Sequence, residues 1–223
     1  MSDLAALKAK IADDIDDYDS YYTSAIASAI TYAIKYHESE RFYFNESRDI
    51  TFATVENQQW YDTSDEDDIP TLLKIDAMWL IDAGATQKRL CQATPEEIET
   101  WTDNADVLTG AGTANNPKGE PSRWAYFGQR IRLHPVPDAG PYQMRIQAHY
   151  KLAALASDAA ENAWTNDAFD LIVARAEIAL ARGKLRSPEL GSLALAVETE
   201  ELSRLRSMTS KKNGTGVIRP TCF

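Results

Sequence analysis

Hydrophobic residues recur every three or four positions at both ends of the chain, which is the spacing of one helix face. The first repeat runs from Leu4 to Ile15, and an alanine-rich repeat covers residues 20–40. Polar residues 16–20 separate the two repeats. The sequence therefore predicts an antiparallel helical hairpin that turns at residues 16–20.

Two more helices are predicted near the other end of the chain. Residues 167–184 are apolar nearly all round, which is typical of a buried helix, and Thr165 or Asn166 is the predicted N-cap. Ser187-Pro188-Glu189 has the composition of a helix start, and this last helix is predicted to end near Met208. Residues 210–216 are rich in Lys, Ser and Gly, so we expect no helix there.

The middle of the chain changes to the alternating pattern of strands. The predicted strands cover residues 50–55, 60–61, 72–82, 88–92, 124–127, 130–134 and 142–151. Residues 60–61 are expected to return beside 50–55, and residues 88–92 beside 72–82. The apolar face of the strand at 72–82 is predicted to carry Leu73, Ile75, Ala77, Trp79 and Ile81. Between the strands, Thr94-Pro95-Glu96-Glu97 predicts a short helix that begins with a capping box.

The net charge of −11 argues against a general nucleic-acid binder, because binding to phosphates requires clustered Lys and Arg. The charge is uneven along the chain. Acids concentrate at residues 13–19 and 65–68, whereas residues 203–223 carry five basic residues and no acid. Such a basic terminus suggests contact with an acidic surface on another subunit. The chain has neither an apolar run of about 20 residues nor an N-terminal signal peptide, so we expect no membrane contact and synthesis in a cytoplasm.

No catalytic motif is found, and we predict no catalytic residue, no metal site and no cofactor. Weaker candidates remain open. Asp65 to Asp68 has the charge but not the ligand spacing of a Ca²⁺ loop. His134 and His149 could approach each other across a hairpin, although a metal site requires a third ligand. Carboxylates such as Asp16 and Glu46 could be proposed for glycoside hydrolysis, and the aromatic cluster Arg41 to Asn45 for base stacking or, more simply, for the core.

An ordered series of segments resembles the head-to-tail adaptor family of short-tailed bacteriophages, also called head-completion or tail accessory factors. The segments are Glu40 to Glu46, Thr54 to Asp62, Ile75 to Met78, Gly119 to Tyr126, Ile131 to Asp138, and Tyr150 to Trp164. The segment at 131–138 resembles the strand and double-proline turn of that family. The resemblance extends over nearly the whole chain.

The resemblance implies an α+β, mainly α fold. Residues 1–46 and 152–208 would form a helical bundle, residues 47–151 an inserted small antiparallel β domain, and residues 209–223 an extended C-terminal arm. It also implies a structural subunit of the virion neck or tail, which forms a homo-oligomeric, twelve-fold ring beneath the portal protein. The ring would join the portal to the tail nozzle or the next tail component, and double-stranded DNA would pass through it without specific binding.

The predicted portal-binding residues belong to the C-terminal arm, which would reach along the portal. They are Lys211, Lys212, Val217, Ile218, Arg219, Pro220 and Phe223. Two other functions stay open at this point. One is another neck or tail-terminator protein of the virion, and the other is a virion-associated cell-wall hydrolase, an activity reported for some members of the family.

Overall fold

The computed structural model describes residues 2–65, 69–81, 86–101, 116–138 and 140–213. These residues form two compact units. Residues 1–45 and 152–223 make up the first, here called the helical unit, and residues 46–151 make up the second, the β-rich unit.

The helices come from both ends of the chain and from one short segment of the β-rich unit. They are α1 Leu4–Asp14, α2 Thr23–His37, α3 Pro95–Trp101, α4 Ala163–Asn166, α5 Phe169–Leu180 and α6 Pro188–Asn213. All except α3 belong to the helical unit, where one π-helical turn, Ala181–Leu185, joins α5 to α6. The predicted hairpin of the first two helices and the buried character of α5 are confirmed.

Side-chain caps define where several of these helices begin. The Asp3 carboxylate accepts a hydrogen bond from the Ala6 amide at 2.8 Å, so Asp3 caps α1. Asn162 caps α4 through a capping box with Thr165. The caps predicted for the helix over 167–184, Thr165 and Asn166, are wrong, because both residues lie within α4 and the N-cap of α5 is Ala168, which makes no side-chain hydrogen bond. The Asp17 carboxylate accepts from the Tyr21 and Tyr22 amides ahead of α2, where the helix dipole favours negative charge.

The core of the helical unit lies between α1, α2, α5 and α6. Fifteen buried residues form it among those described, including Ile30 on α2, Leu171 on α5 and Leu205 on α6. The aromatic ring of Phe42 meets Trp164 edge to face, with 6.0 Å between ring centroids. The aromatic cluster at Arg41 to Asn45 therefore contributes to this core, and Phe42 is not available to stack on a base.

The strands form two four-stranded sheets within the described part of the β-rich unit. They are β1 Glu46–Ala53, β2 Trp60–Tyr61, β3 Leu72–Ile81, β4 Gln87–Arg89, β5 Cys91–Gln92, β6 Arg123–Phe127, β7 Arg130–His134 and β8 Gln143–Tyr150. The order is β1-β8-β3-β4 in one sheet and β2-β7-β6-β5 in the other. Buried residues of both sheets, such as Met144 on β8 and Leu133 on β7, belong to a single cluster, so the sheets share one core.

Short-range strand features agree with the sequence. The β6–β7 hairpin turns at Gly128 and Gln129, whose φ values of 60° and 65° suit the type I′ turn that matches strand twist. The capping box of α3 forms as predicted: the Thr94 hydroxyl accepts from the Glu97 amide at 3.2 Å, and the Glu97 carboxylate accepts from the Thr94 amide at 2.8 Å. Local turn and cap chemistry was sufficient to predict both features.

Long-range strand pairing differs from the prediction. The Trp60–Tyr61 strand pairs with β7 and not with the strand at 50–55. Residues 88–92 divide at Leu90, since β4 pairs with β3 and β5 pairs in parallel with β6 in the other sheet. His134 and His149 lie on strands of different sheets and do not face each other across a hairpin.

The predicted apolar face of β3 is also wrong. Its buried residues are Leu72, Ile75, Ala77, Met78 and Leu80. The register of β3 against β8 shifts between Leu72 and Lys74 and again between Ile75 and Ala77. Each bulge adds a residue that breaks the two-residue period, so strict alternation assigned Trp79 and Leu80 to the wrong sides.

The expected mainly α fold, a helical bundle with a small antiparallel β domain, is wrong. Helices account for 42% and strands for 24% of the described residues. The cluster shared by the two sheets contains fifteen buried residues, as many as the helical cluster, and the sheets include the parallel β5–β6 pair. The protein is a mixture of α and β structure in which the β-rich unit has a full core of its own.

Candidate functional site

The predicted portal-binding residues are only partly within the described structure. Helix α6 continues to Asn213, so Lys211 and Lys212 lie in its last turn and not in an extended arm. Val217, Ile218, Arg219, Pro220 and Phe223 lie outside the described residues. Basic side chains at this position favourably meet the negative end of the helix dipole, which helps to explain why the helix passes the expected end at Met208.

Contacts with the segment after α2 fix the last two turns of α6. The Thr209 hydroxyl accepts a hydrogen bond from the Tyr43 amide at 3.1 Å and donates one to the Leu205 carbonyl at 2.8 Å. The Lys212 ammonium lies 3.5 Å from the centroid of the Tyr43 ring, a cation–π contact. Because both contacts involve Tyr43, which packs against the core, the core fixes the position of the last turns of α6. We call this set, Tyr43 with Thr209 and Lys212, the C-terminal clamp.

Tyr43 is itself anchored at its hydroxyl end. The hydroxyl donates to the Asp167 carboxylate at 2.7 Å. Burial, this hydrogen bond and the charge of Asp167 raise the pKa of Tyr43 to about 12, so the hydroxyl keeps its proton at physiological pH. The Arg206 guanidinium pairs with the Glu40 carboxylate and joins the same two segments at a more exposed position. Lys211, in contrast, is exposed and takes no part in the clamp.

A buried cluster of charged groups connects α2, α5 and α6. Glu198 lies 3.5 Å from Arg175 and 3.1 Å from the Nε2 atom of His37, although the latter contact lacks the geometry of a hydrogen bond. The Arg175 guanidinium also covers the Tyr36 ring at 3.4 Å and donates to the Tyr32 hydroxyl at 3.3 Å. Burial lowers the pKa of His37, against the opposing charge of Glu198, so this imidazole is neutral at pH 7. The Glu198 charge is therefore balanced by Arg175.

The carboxyl pair Glu177 and Asp14 joins α5 to α1. Glu177 is 8% exposed, and burial, followed by the hydrogen bond to Asp14 and the Asp14 charge, raises its pKa to about 7. The Lys10 ammonium pairs with Asp14 and opposes part of this shift. A carboxyl group of that pKa could serve as a general acid, but glycosidases hold their two carboxyls about 5–10 Å apart across a cleft. Glu177 is instead buried beside Asp14, without the open cleft between carboxyls that a glycosidase requires.

The weaker sequence candidates do not come together as sites. Asp16 lies in the turn after α1 and Glu46 begins β1, in different units. Asp65 joins a turn in which its carboxylate accepts from the Asp62 amide at 3.0 Å, whereas residues 66–68 lie outside the described residues. Among the described residues, no three His, Cys, Asp or Glu side chains are placed to hold a metal ion.

One exposed surface was missed in the sequence. Leu193, Leu195 and Val197 lie exposed on α6, although the helix also holds Ala194 and Leu205 in the core. The run from Leu193 to Val197 is apolar at five consecutive positions, so it covers all sides of the helix. A one-sided core helix would carry polar residues at several of these positions, and that excess was the available signal.

No helix in the described ranges has the length and apolar character needed to cross a membrane. No curated protein matches this chain. A family model described as SU10 adaptor protein matches residues 2–220, which confirms the expected resemblance to phage head-to-tail adaptors. The chain therefore belongs to the SU10 adaptor protein family.

Proposed function

We propose that this protein is a structural head-to-tail adaptor subunit of a bacteriophage virion. Its copies form a ring, expected to be dodecameric, beneath the portal protein and join the portal to the nozzle or next component of the tail. The observation that carries the proposal is the family match over residues 2–220. The two compact units are proposed to be separate domains, with the β-rich unit inserted in the helical unit.

The C-terminal clamp supports a portal-binding role for the residues that follow it. Tyr43 fixes the last turns of α6 through Thr209 and Lys212, so the helix end that precedes residues 214–223 has a defined position. A fixed starting point lowers the entropy cost of docking a terminal segment onto a partner. We propose that the residues after Asn213 bind the portal through Val217, Ile218, Arg219, Pro220 and Phe223, and that Lys211 adds an exposed charge beside them.

Truncation after Asn213 tests this proposal without disturbing the clamp. A longer deletion that begins at Thr209 would also remove the Thr209 and Lys212 contacts, and a loss of binding could then reflect a damaged helix. The truncated protein should keep the thermal unfolding and circular dichroism of the full chain and should lose binding to purified portal. Portal binding of equal strength in both proteins would refute the assignment of the arm.

A pair of lysine variants separates direct contact from positioning. Lys211→Ala should weaken portal binding and leave stability unchanged, because Lys211 is exposed and outside the clamp. Lys212→Ala should also lower the stability of the last turn of α6, by roughly 0.5–1 kcal/mol for the lost cation–π contact. If Lys211→Ala binds portal as the full protein does, this lysine is not part of the binding surface.

We also propose that DNA passes the ring without specific binding. The acids at the end of α1 and in the turn before α2 are suited to a channel wall, since negative charge repels phosphate. Asp14 and Asp17 already have structural partners, so Asp13 and Asp19 are the better positions to test. Replacing both with Lys should slow DNA ejection from assembled particles. Unchanged retention and ejection would place these acids away from the channel.

A non-enzymatic role fits the structural character of the adaptor family. Burial of Glu177, the carboxyl group with a pKa raised to about 7, is also consistent with this role, because a general acid of a glycosidase must face a cleft. Purified protein should therefore leave peptidoglycan intact in a zymogram. A cleared band that Glu177→Gln abolishes would restore the hydrolase as the better proposal.

A further inference from the structure

A groove on the helical unit lies between α2 and the end of α5. Its volume is about 840 Å³, and its lining includes Tyr21, Ser28, Tyr32, Leu180 and Lys184. Leu180 is buried, whereas Tyr21 and Tyr32 are 81% and 50% exposed, so the groove has an apolar floor and aromatic walls. Tyrosine is typical of protein interfaces because it offers a large apolar area at low entropy cost.

One wall of this groove is already held in place. The Tyr32 hydroxyl accepts a hydrogen bond from Arg175 at 3.3 Å, and Arg175 is fixed in turn by buried Glu198. A wall that is ordered before binding loses less entropy when a partner docks. The groove is therefore a preformed surface and not a gap between loosely packed helices.

A second exposed surface on the same unit is the outer face of α6. Leu193, Leu195 and Val197 are 69%, 48% and 45% exposed, whereas Ala194 and Glu198 on the inner face are buried. Leu193 and Val197 lie one turn apart on one flank of this face, and Leu195 lies on the opposite flank. Between the flanks lie small side chains, Ser192, Ala196 and Thr199, so the face forms a patch that a partner can approach closely.

The two surfaces carry opposite charges. Lys184 lies in the groove lining, and Arg182 and Arg186 are exposed on either side of it in the sequence. Glu200 lies beside Leu195 on the outer face of α6 and is exposed. Within the described ranges, none of these four side chains takes part in an ion pair, so both surfaces have charges available for a partner.

We propose that the outer face of α6 in one copy docks into the α2–α5 groove of the next copy, with Glu200 facing Lys184. This inference rests on the ring-forming function proposed above and names the surfaces that close the ring. The two surfaces consist of different residues, so the contact is head-to-tail and repeats from copy to copy. Each copy carries one groove and one α6 patch. In a closed ring every groove is therefore filled and every patch is covered by a neighbouring copy.

Cysteine cross-linking tests the pairing directly. In a background of Cys91→Ser and Cys222→Ser, one preparation carries Ser28→Cys in the groove and a second carries Ala196→Cys on α6. Mixing them under mild oxidation should give a disulfide-linked dimer that neither preparation gives alone. Ala156→Cys, at an exposed position outside both surfaces, is the matched control partner.

The mixture is assayed with the adaptor alone and with purified portal added. Absence of the mixed dimer under both conditions would overturn the proposal, as would self-linked Ser28→Cys dimers in equal yield. The adaptor function is tested separately, by the loss of portal binding when the chain is truncated after Asn213. Truncation that abolishes portal binding, together with no mixed dimer, would retain the adaptor function and reject this interface.

A charge exchange provides independent evidence. Lys184→Glu and Glu200→Lys should each weaken self-association about tenfold, since each places like charges together, and the double variant should recover it. Glu161→Lys makes the same change of charge as Glu200→Lys at another exposed position, and it should have little effect on self-association. A double variant no better than the two single variants would contradict a direct Lys184–Glu200 contact.

Discussion

Replacing Glu177 with Gln should stabilise the protein at alkaline pH and have little effect at acid pH. Burial and the adjacent Asp14 raise the pKa of Glu177 from 4.5 to about 7. The folded state therefore binds more protons than the unfolded state between these two values. Stability from this group is fully present below pH 4.5 and is lost as the pH rises through 7. Gln is neutral at every pH and can still donate a hydrogen bond to Asp14.

The magnitude follows from the size of the pKa shift. One pKa unit corresponds to about 1.4 kcal/mol, so a shift of this size costs the folded protein about 3 kcal/mol once Glu177 is ionised. The advantage of Glu177→Gln should grow from under about 0.5 kcal/mol at pH 4.5 to about 3 kcal/mol at pH 8. In a chain of this length the gain at pH 8 corresponds to a rise in Tm of roughly 10 °C.

Urea unfolding at pH 4.5 and pH 8, followed by far-ultraviolet circular dichroism, measures the difference. Stability is compared from the midpoints, provided that the slope against urea is the same in both proteins. Glu161→Gln removes an exposed carboxyl group and serves as the control, which should shift neither midpoint. The reasoning is refuted if Glu177→Gln and the parent protein unfold at the same urea concentration at pH 8, or if the gain is equal at both pH values.

Three further predictions concern other contacts. Trp164→Ala should destabilise the helical unit by about 3–5 kcal/mol in urea unfolding, because it empties the site that Phe42 packs against; a loss below 1 kcal/mol would contradict the described core. Thr94→Ala should cost about 1 kcal/mol and speed hydrogen exchange at the Glu97 amide, whereas Thr94→Ser should preserve both. Arg175→Met should cost about 3–5 kcal/mol by leaving the buried Glu198 charge unbalanced. The double variant with Glu198→Leu should recover most of this loss, because the buried charge is then removed. If the effects of the two substitutions simply add, Arg175 and Glu198 do not act as a pair.

Features that depend on neighbouring residues could be predicted from the sequence. The capping box at Thr94 and the turn at Gly128-Gln129 follow from side-chain chemistry within four residues. The alternating pattern over residues 142–151 predicted a strand, which the structure confirms as β8, with Met144, Ile146 and Ala148 in the core. Each of these patterns is strong enough to define the local structure without knowledge of the rest of the fold.

Features that depend on contacts between distant residues could not be predicted from local sequence patterns. The bulges in β3 arise from its pairing with β8, and the change of sheet at Leu90 depends on β6 being available as a parallel partner. The candidate site shows the same limit. Lys211 and Lys212 were predicted to leave the helix because their neighbours disfavour helix, yet Tyr43 stabilises this turn from the opposite end of the chain. No local pattern contains that contact.

The pairing of β1 with β8 has a consequence for how this chain can change over evolutionary time. Glu46, the first residue of the β-rich unit, is paired with His149, close to its last, so the unit begins and ends on neighbouring strands. A segment with adjacent ends needs only a narrow opening in its host, and such segments tolerate exchange and circular permutation. The portion from 46 to 151 could thus be replaced by another domain of different specificity while the helices retain their packing. Diversification within this family would then require new inserts and not new helical units.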